Sequence, residues 1–254
     1  MKDSHTLSTL FIFLLLSASA CYEAPEFPVE PEISFKDVTF YDTPNDPTDS
    51  LVISIAFQDG DGDLGLKGDE LDPPYHSFTF EEDGSGNVLT ISSNDTMPPF
   101  TRPYSCTNYI LGRFDSTGAF YYYSTSDNSP YKKTFGEVGP DTLYSTPNPY
   151  YYNIYLEFLV EREEGFVPFD WTTAPPGGGC GISPHGRFPI LFDPKLPDKP
   201  LSGTLTYQFI NNGLLPYFRN ETLKLRVYII DRALHVSNIV ESPPFTLEEV
   251  EAGE

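Results

Sequence analysis

The sequence predicts an all-β fold, and three observations support that expectation. Several segments alternate apolar and polar residues with the two-residue period of a half-buried strand. Aromatic content is high, with 20 Phe and 17 Tyr, while 25 Pro and 19 Gly punctuate the chain as turns between strands require. No stretch of useful length repeats apolar residues at the spacing of an amphipathic helix.

Residues 1–20 read as a signal peptide rather than part of the fold. A short polar start, with Lys2 offset by Asp3, leads into the apolar run LSTLFIFLLL over residues 7–16, which is too short to span a bilayer. The segment ends in Ala18-Ser19-Ala20-Cys21, small residues before a cysteine. This resembles the lipobox of bacterial lipoproteins, which implies that Cys21 is acylated, becomes the mature N-terminus and anchors the protein to a membrane. The alternative is an ordinary secretory signal cut after Ala20, leaving Cys21 as a thiol. An odd cysteine count in an exported chain calls for a special use of one cysteine. With Cys21 set aside, Cys106 and Cys180 remain, either as one disulfide in an oxidising compartment or as two unrelated thiols. Residues 21–31, rich in Pro and Glu, read as an extended tether.

The fold proper begins with a strand over residues 32–41. Ile33 and Phe35 share one parity there and Val38 and Phe40 the other, so a bulge is expected near Lys36-Asp37. The organising strand covers residues 50–58, with Leu51, Ile53, Ile55 and Phe57 on one face and Val52, Ser54, Ala56 and Gln58 on the other. From about residue 67 to 148 the pattern is irregular. Short strand signals at residues 77–81, 88–92, 109–114 and 119–124, separated by turn residues, read as an insertion of one or two hairpins. Alternation returns over residues 150–161, where Tyr152, Ile154, Leu156, Phe158 and Val160 face one way. A second insertion, a long loop over residues 163–200, centres on Pro175-Pro176-Gly177-Gly178-Gly179.

Three further strands close the chain. Leu205, Tyr207 and Phe209 form one inward face, and Leu223, Leu225, Val227 and Ile229 another. The last strand runs over residues 236–247, broken by Pro243-Pro244 as an edge strand allows. Six or seven strands with turns between them fit a single immunoglobulin-like β-sandwich over residues 32–248 with long loop and hairpin insertions, followed by an acidic tail at residues 249–254.

The organising strand empties into Asp59-Gly60-Asp61-Gly62-Asp63-Leu64-Gly65, which places three carboxylates at alternate positions with glycines between them. Calcium takes six to eight oxygen donors, and such a loop offers Asp59, Asp61, Asp63, the Gly65 carbonyl and, at the twelfth position, Glu70. The loop is not an EF-hand, because Leu64 replaces the sixth-position glycine and a strand rather than a helix leads into it. A structural Ca2+ is expected, with Asp69 or Asp72 as substitutes for Glu70. Asp231 joins the set if its strand end lies beside the loop. The competing reading is a solvated turn in which Asp side chains cap backbone amides.

Two motifs carry a family resemblance. Phe57-Gln58-Asp59-Gly60-Asp61-Gly62-Asp63-Leu64-Gly65 and Tyr228-Ile229-Ile230-Asp231-Arg232-Ala233-Leu234-His235-Val236-Ser237-Asn238 resemble the signature of Bacteroidota lipoproteins with an immunoglobulin-like domain on the cell envelope. The resemblance spans residues 32–248 and implies an outer-membrane lipoprotein, facing either the periplasm or the surface. Leu234-His235 departs from the pattern, standing where a Gly-Asn turn is usual. Asp49-Ser50-Leu51, Asp95-Thr96-Met97, Asp115-Ser116-Thr117 and Asp141-Thr142-Leu143 also resemble the O-glycosylation triplets of exported proteins from that phylum.

Charge and motif content narrow the functional class. A formal net charge of -22 repels phosphate backbones, which argues against nucleic acid as a partner, and attracts cations. There is no His-Glu-x-x-His, Gly181-Ile182-Ser183-Pro184-His185 lacks the second glycine of a nucleophile elbow, and Gly177-Gly178-Gly179 is not followed by Lys-Ser or Lys-Thr. His76, His185 and His235 stand apart in the sequence. The reading is therefore non-catalytic, with a role in envelope structure or protein interaction. The alternative is a glycan-binding module using exposed aromatics, for which Trp171, in a Pro- and Gly-rich loop, is the leading contact.

Overall fold

A computed structural model describes residues 26–42, 48–80, 82, 84–85, 109–114, 120–123, 130–133, 142–171, 183–192, 199–211 and 214–253. The signal peptide, Cys21, Cys106, Cys180 and the strand signal at residues 88–92 lie outside the described residues. In chain order the elements are β1 (Glu32–Tyr41), β2 (Asp49–Asp59), β3 (Phe78–Phe80), β4 (Tyr109–Phe114), β5 (Phe120–Tyr123), β6 (Pro130–Lys133), β7 (Thr142–Pro147), β8 (Ile154–Arg162), β9 (Gly165–Pro168), β10 (Leu201–Asn211), α1 (Leu214–Phe218), β11 (Leu223–Ile229) and β12 (Val240–Glu241). The fold is thus almost entirely β. Its paired strands form antiparallel sheets of order β1-β2-β10, β12-β11-β8-β9 and β3-β7-β4-β5-β6.

The first two sheets share one apolar core. Leu51, Ile53, Ile55 and Phe57 of β2 are buried with Ile154, Leu156, Phe158 and Val160 of β8 and with Leu223, Leu225, Val227 and Ile229 of β11. Alternation buries every second side chain, each contributing roughly 1.5–3 kcal/mol by leaving water. In β1 the register slips between Phe35 and Asp37, which lets Ile33 and then Val38 and Phe40 all turn inward despite their opposite parity.

Strand direction gathers particular residues at one end. The β1-β2-β10 register pairs Glu32 with Gln58 and Leu201 with Asp59, and the β8-β11 register pairs Ile229 with Ile154. The N-terminal segment, the acidic loop after β2 and the turn after β11 therefore meet at this end.

Elsewhere the structure departs from the sequence expectation. The first insertion holds a five-stranded sheet rather than one or two hairpins, because β6 pairs with β5, and β7 with β3 and β4, although their short sequences display no alternation. The second insertion begins as a hairpin, with Arg162 paired to Gly165 and Leu159 to Pro168. The final strand shrinks to Val240–Glu241 plus isolated bridges of Val236 to Ile230 and Phe245 to Leu223, as two consecutive prolines lack amide donors.

The acidic tail is part of the domain. Phe40 donates its amide to the Val250 carbonyl (2.7 Å) and accepts from the Ala252 amide (2.8 Å), and Val250 packs on the core. Together with the side-chain amide of Asn238, which bonds both the amide (2.7 Å) and the carbonyl (2.9 Å) of Ile33, it covers the outer edge of β1.

Candidate metal centre

β2 carries Asp59 to the end of its sheet, where the side chain is fully buried. Beyond it the chain must turn sharply. Gly62 adopts a left-handed φ of 69°, and the Lys199 carbonyl occupies the space its side chain would need, so only glycine fits. Leu64 and Leu66 are buried anchors, fixed by the bonds Leu66 N to Phe188 O (3.1 Å) and Leu191 N to Leu64 O (3.0 Å). The turn after β11 presents Asp231, also buried. The Asp231 carboxylate accepts the His235 amide on one oxygen and the His235 ring Nδ1 lies against the other, both at 2.8 Å.

These two chain ends bring Asp59, Asp61 and Asp231 together, one carboxylate oxygen from each lying within 4.8 Å of the others. Oxygens on opposite sides of a single calcium ion are about 4.6–5.2 Å apart, twice the ordinary bond length. Among the described residues, neither carboxylate oxygen of Asp59 closes a hydrogen bond, and Oδ1 of Asp61 is likewise buried and unpartnered. Asp63 stands beside them, its Oδ1 accepting the Arg232 amide at 3.2 Å.

The electrostatics are those of crowded acids. Burial, then the neighbouring charges of Asp61, Asp63 and Asp231, push the Asp59 carboxyl up to about 7; the Asp63 amide opposes this without closing a bond of normal geometry. Burial followed by Asp231 and Asp61 pushes Asp63 to about 6, against the amides of Arg232 and Ala233. Burial also raises Asp231, partly offset by His235. Two carboxylates this close repel by roughly 3–4 kcal/mol at an effective dielectric of about 20, so at neutral pH the cluster requires protons or a cation.

Glu70 and Gly65 serve a different purpose from the one their positions in the loop indicate. The Arg232 guanidinium forks onto both Glu70 oxygens (2.8 and 2.9 Å) and also donates to the Gly65 carbonyl (3.2 Å). Glu70, held by Arg232 and by the Lys67 amide, drops to about 2. Arg232 is thereby engaged with Glu70 and leaves the side chains of Asp59 and Asp61 without a guanidinium partner. Asp69 and Asp72 are exposed. Arg187 straps the same loop down, donating to the carbonyls of Tyr151, Lys67, Glu70 and Tyr75. Nothing local in the sequence marks either arginine for these tasks.

Trp171 corrects the expectation of an exposed contact. It is 7 % exposed and packs against Phe158, Phe169, Phe209, Tyr217 and Phe218, with ring centres 5.0–6.1 Å away. The β8-β9 hairpin and the bond from the Phe169 amide to the Phe158 carbonyl draw it inward. His185 is a packing residue. Its Nδ1 accepts the Leu156 amide, its ring lies on Tyr155, and burial pushes it down to about 4, keeping it neutral. Ser50 is buried in β2, away from any glycosylating enzyme, and the other three triplets fall wholly or partly outside the described residues.

Comparison with protein-family models, curated proteins and solved structures finds no match to this chain. Among the described residues, no helix is long and apolar enough to cross a membrane.

Proposed function

We propose that this is a non-catalytic, lipid-anchored protein of the bacterial cell envelope whose immunoglobulin-like sandwich is pinned by a structural Ca2+. The observation that carries the metal reading is Asp59, fully buried with both oxygens unpartnered, in a group with Asp61 and Asp231. An all-oxygen, all-carboxylate donor set suits calcium rather than a softer metal. Asp59, Asp61 and Asp231 would hold the ion, with Asp63 beside them. Bound there, calcium supplies the positive charge that the cluster lacks and ties the end of β2 in one sheet to the end of β11 in the other.

Three- and four-stranded antiparallel sheets on one core support the immunoglobulin-like assignment. The lipobox-like Ala18-Ser19-Ala20-Cys21 supports the anchor, and the paired acidic and Asp-Arg-Ala motifs support the envelope setting. A protein partner in the envelope is favoured over a glycan, since the aromatic side chain best placed for sugar stacking lies in the core.

Calorimetric titration of the full mature chain in detergent tests the metal. One Ca2+ per chain, lost in Asp61→Asn and not matched by Mg2+, is the expected result; heatless titrations would reduce the loop to a solvated turn. Mass spectrometry of the native N-terminal peptide tests the anchor, and an unacylated Cys21 would remove it.

A further inference from the structure

We infer that the ion-binding loop is also the clasp for the N-terminal segment, so that Ca2+ controls whether residues 26–30 are held on the domain; this rests on the metal reading above. Gly60 lies between two of the proposed ligands, Asp59 and Asp61, and its amide donates to the Pro28 carbonyl at 2.7 Å. The approach is so close that a side chain on Gly60 would collide with the carbonyls of Phe27 and Pro28, the latter lying 2.6 Å from where a Cβ would stand. Beyond it, the chain is fixed again at Pro31, which is buried, at Glu32 of β1, which pairs with Gln58, and by the bonds between Ile33 and Asn238.

Little else holds the segment. Glu26, Pro28, Val29 and Glu30 are exposed and Phe27 is half-buried, burial resuming only at Pro31, so the attachment of residues 26–30 belongs to the low-stability class of structure that opens locally. The direction of the Gly60 amide is set by the carboxylates on either side of it. With an ion between them, Asp59 and Asp61 share one centre and the peptide unit is fixed. Without it, like charges separate and the amide loses its aim. Release has a mechanical consequence for an anchored protein. Counted along the chain from Cys21, the first held residue moves from roughly 5–7 positions away to roughly 10, a maximum reach of about 20 Å against about 34 Å.

Limited proteolysis of the full mature chain by a glutamate-specific protease, in calcium and in chelator, tests this, since Pro28 enters the clasp only as a carbonyl acceptor and backbone cleavage reads whether its segment is held. Cleavage after Glu26 is expected to be about tenfold slower or better with calcium, while cleavage at Glu163-Glu164 in the β8-β9 turn at the opposite end is unchanged. The difference should vanish in Asp231→Asn. Because coupling between two sites is reciprocal, Gly60→Ala, which evicts the segment, should weaken calcium binding by a similar factor. Calcium binding seen by calorimetry with unaltered cleavage after Glu26 would overturn the clasp and leave the metal reading standing. Absence of calcium binding would overturn both. The wild-type comparison decides even if Gly60→Ala fails to fold.

Discussion

Two groups of acidic side chains in this molecule are treated in opposite ways. On the outer face of the β12-β11-β8 sheet, Arg226 stands in register between Glu157 and Glu241 and bonds both, at 2.7 and 3.0 Å, with Lys224 3.6 Å from Glu241. Glu157 and Glu241 each have a cation encoded opposite them. At the end of the two sheets, Asp59, Asp61, Asp63 and Asp231 converge while the nearest guanidinium, Arg232, is committed to Glu70. The solvent-facing group needs its partners least, since exposed pairs contribute at most about 1 kcal/mol, yet has them all. The buried group needs counter-charge most, yet the chain sets only His235 against Asp231 and leaves both oxygens of Asp59 unpartnered among the described residues. That contrast is what points outside the polypeptide.

Removing calcium should separate the two groups most widely. At a calcium concentration about 100 times its Kd the proposed ion would add about 2.7 kcal/mol, and for a chain this size each kcal/mol moves the midpoint by about 2–4 °C. Scanning calorimetry should therefore show a midpoint about 5–10 °C lower in chelator, with Asp61→Asn insensitive to calcium. Equal midpoints would place the acidic centre in the same class as the surface pairs.

The pH dependence of metal-free protein should have opposite signs at the two groups. Asp59, raised to about 7 in the fold, binds its proton there at pH values where the unfolded chain has released it. Its contribution is fully present below the unfolded carboxylate pKa near 4 and is lost as pH rises towards 7. Glu241, lowered by Arg226, contributes above its unfolded pKa and loses that on acidification. The Asp59 slope is best read as wild type minus Asp59→Asn, since neutral His185 adds an opposite slope as pH falls from its ordinary value towards about 4. A flat difference in chelator would remove the case for crowded acids.

Smaller effects sharpen the comparison. Leu234, in the turn that presents Asp231, holds a left-handed φ of 72°, which costs a branched residue about 1 kcal/mol or more. Leu234→Gly should therefore raise the unfolding free energy by about 1 kcal/mol in urea titrations, and a loss of similar size would mean that the Leu234 side chain matters more than its backbone. Least of all, Glu241→Gln should change stability by less than about 1 kcal/mol and leave calcium binding intact.

Much of the fold was legible because alternation leaves a direct trace. β2, β8 and β11 bury the residues their parity selects, and the parity switch at Lys36-Asp37 marks the β1 bulge. The site was legible in part. Asp59, Asp61 and Asp63 announce themselves by spacing, but Asp231, in the turn after β11 more than 160 positions away, is only a conditional candidate until the sheet packing sets it beside Asp59 and Asp61. Glu70 sits where a loop count puts a ligand, yet a count along the chain cannot see Arg232 taking it. Trp171 was misread because Pro and Gly around it mimic a solvent loop, while Gly165–Pro168 is too short to reveal the hairpin that carries it inward. In the tail, one apolar residue, Val250, outweighs four flanking glutamates because its backbone completes an edge.

The burial of Trp171 has an optical consequence. It is the chain's single tryptophan, ringed by four phenylalanines and one tyrosine that absorb nearby and none of which belongs to the acidic loop. Its emission is consequently a beacon for the core alone. A blue, shielded signal that persists while calcium comes and goes would locate the ion's influence at the rim of the domain, and a red shift would mean that the influence reaches its centre.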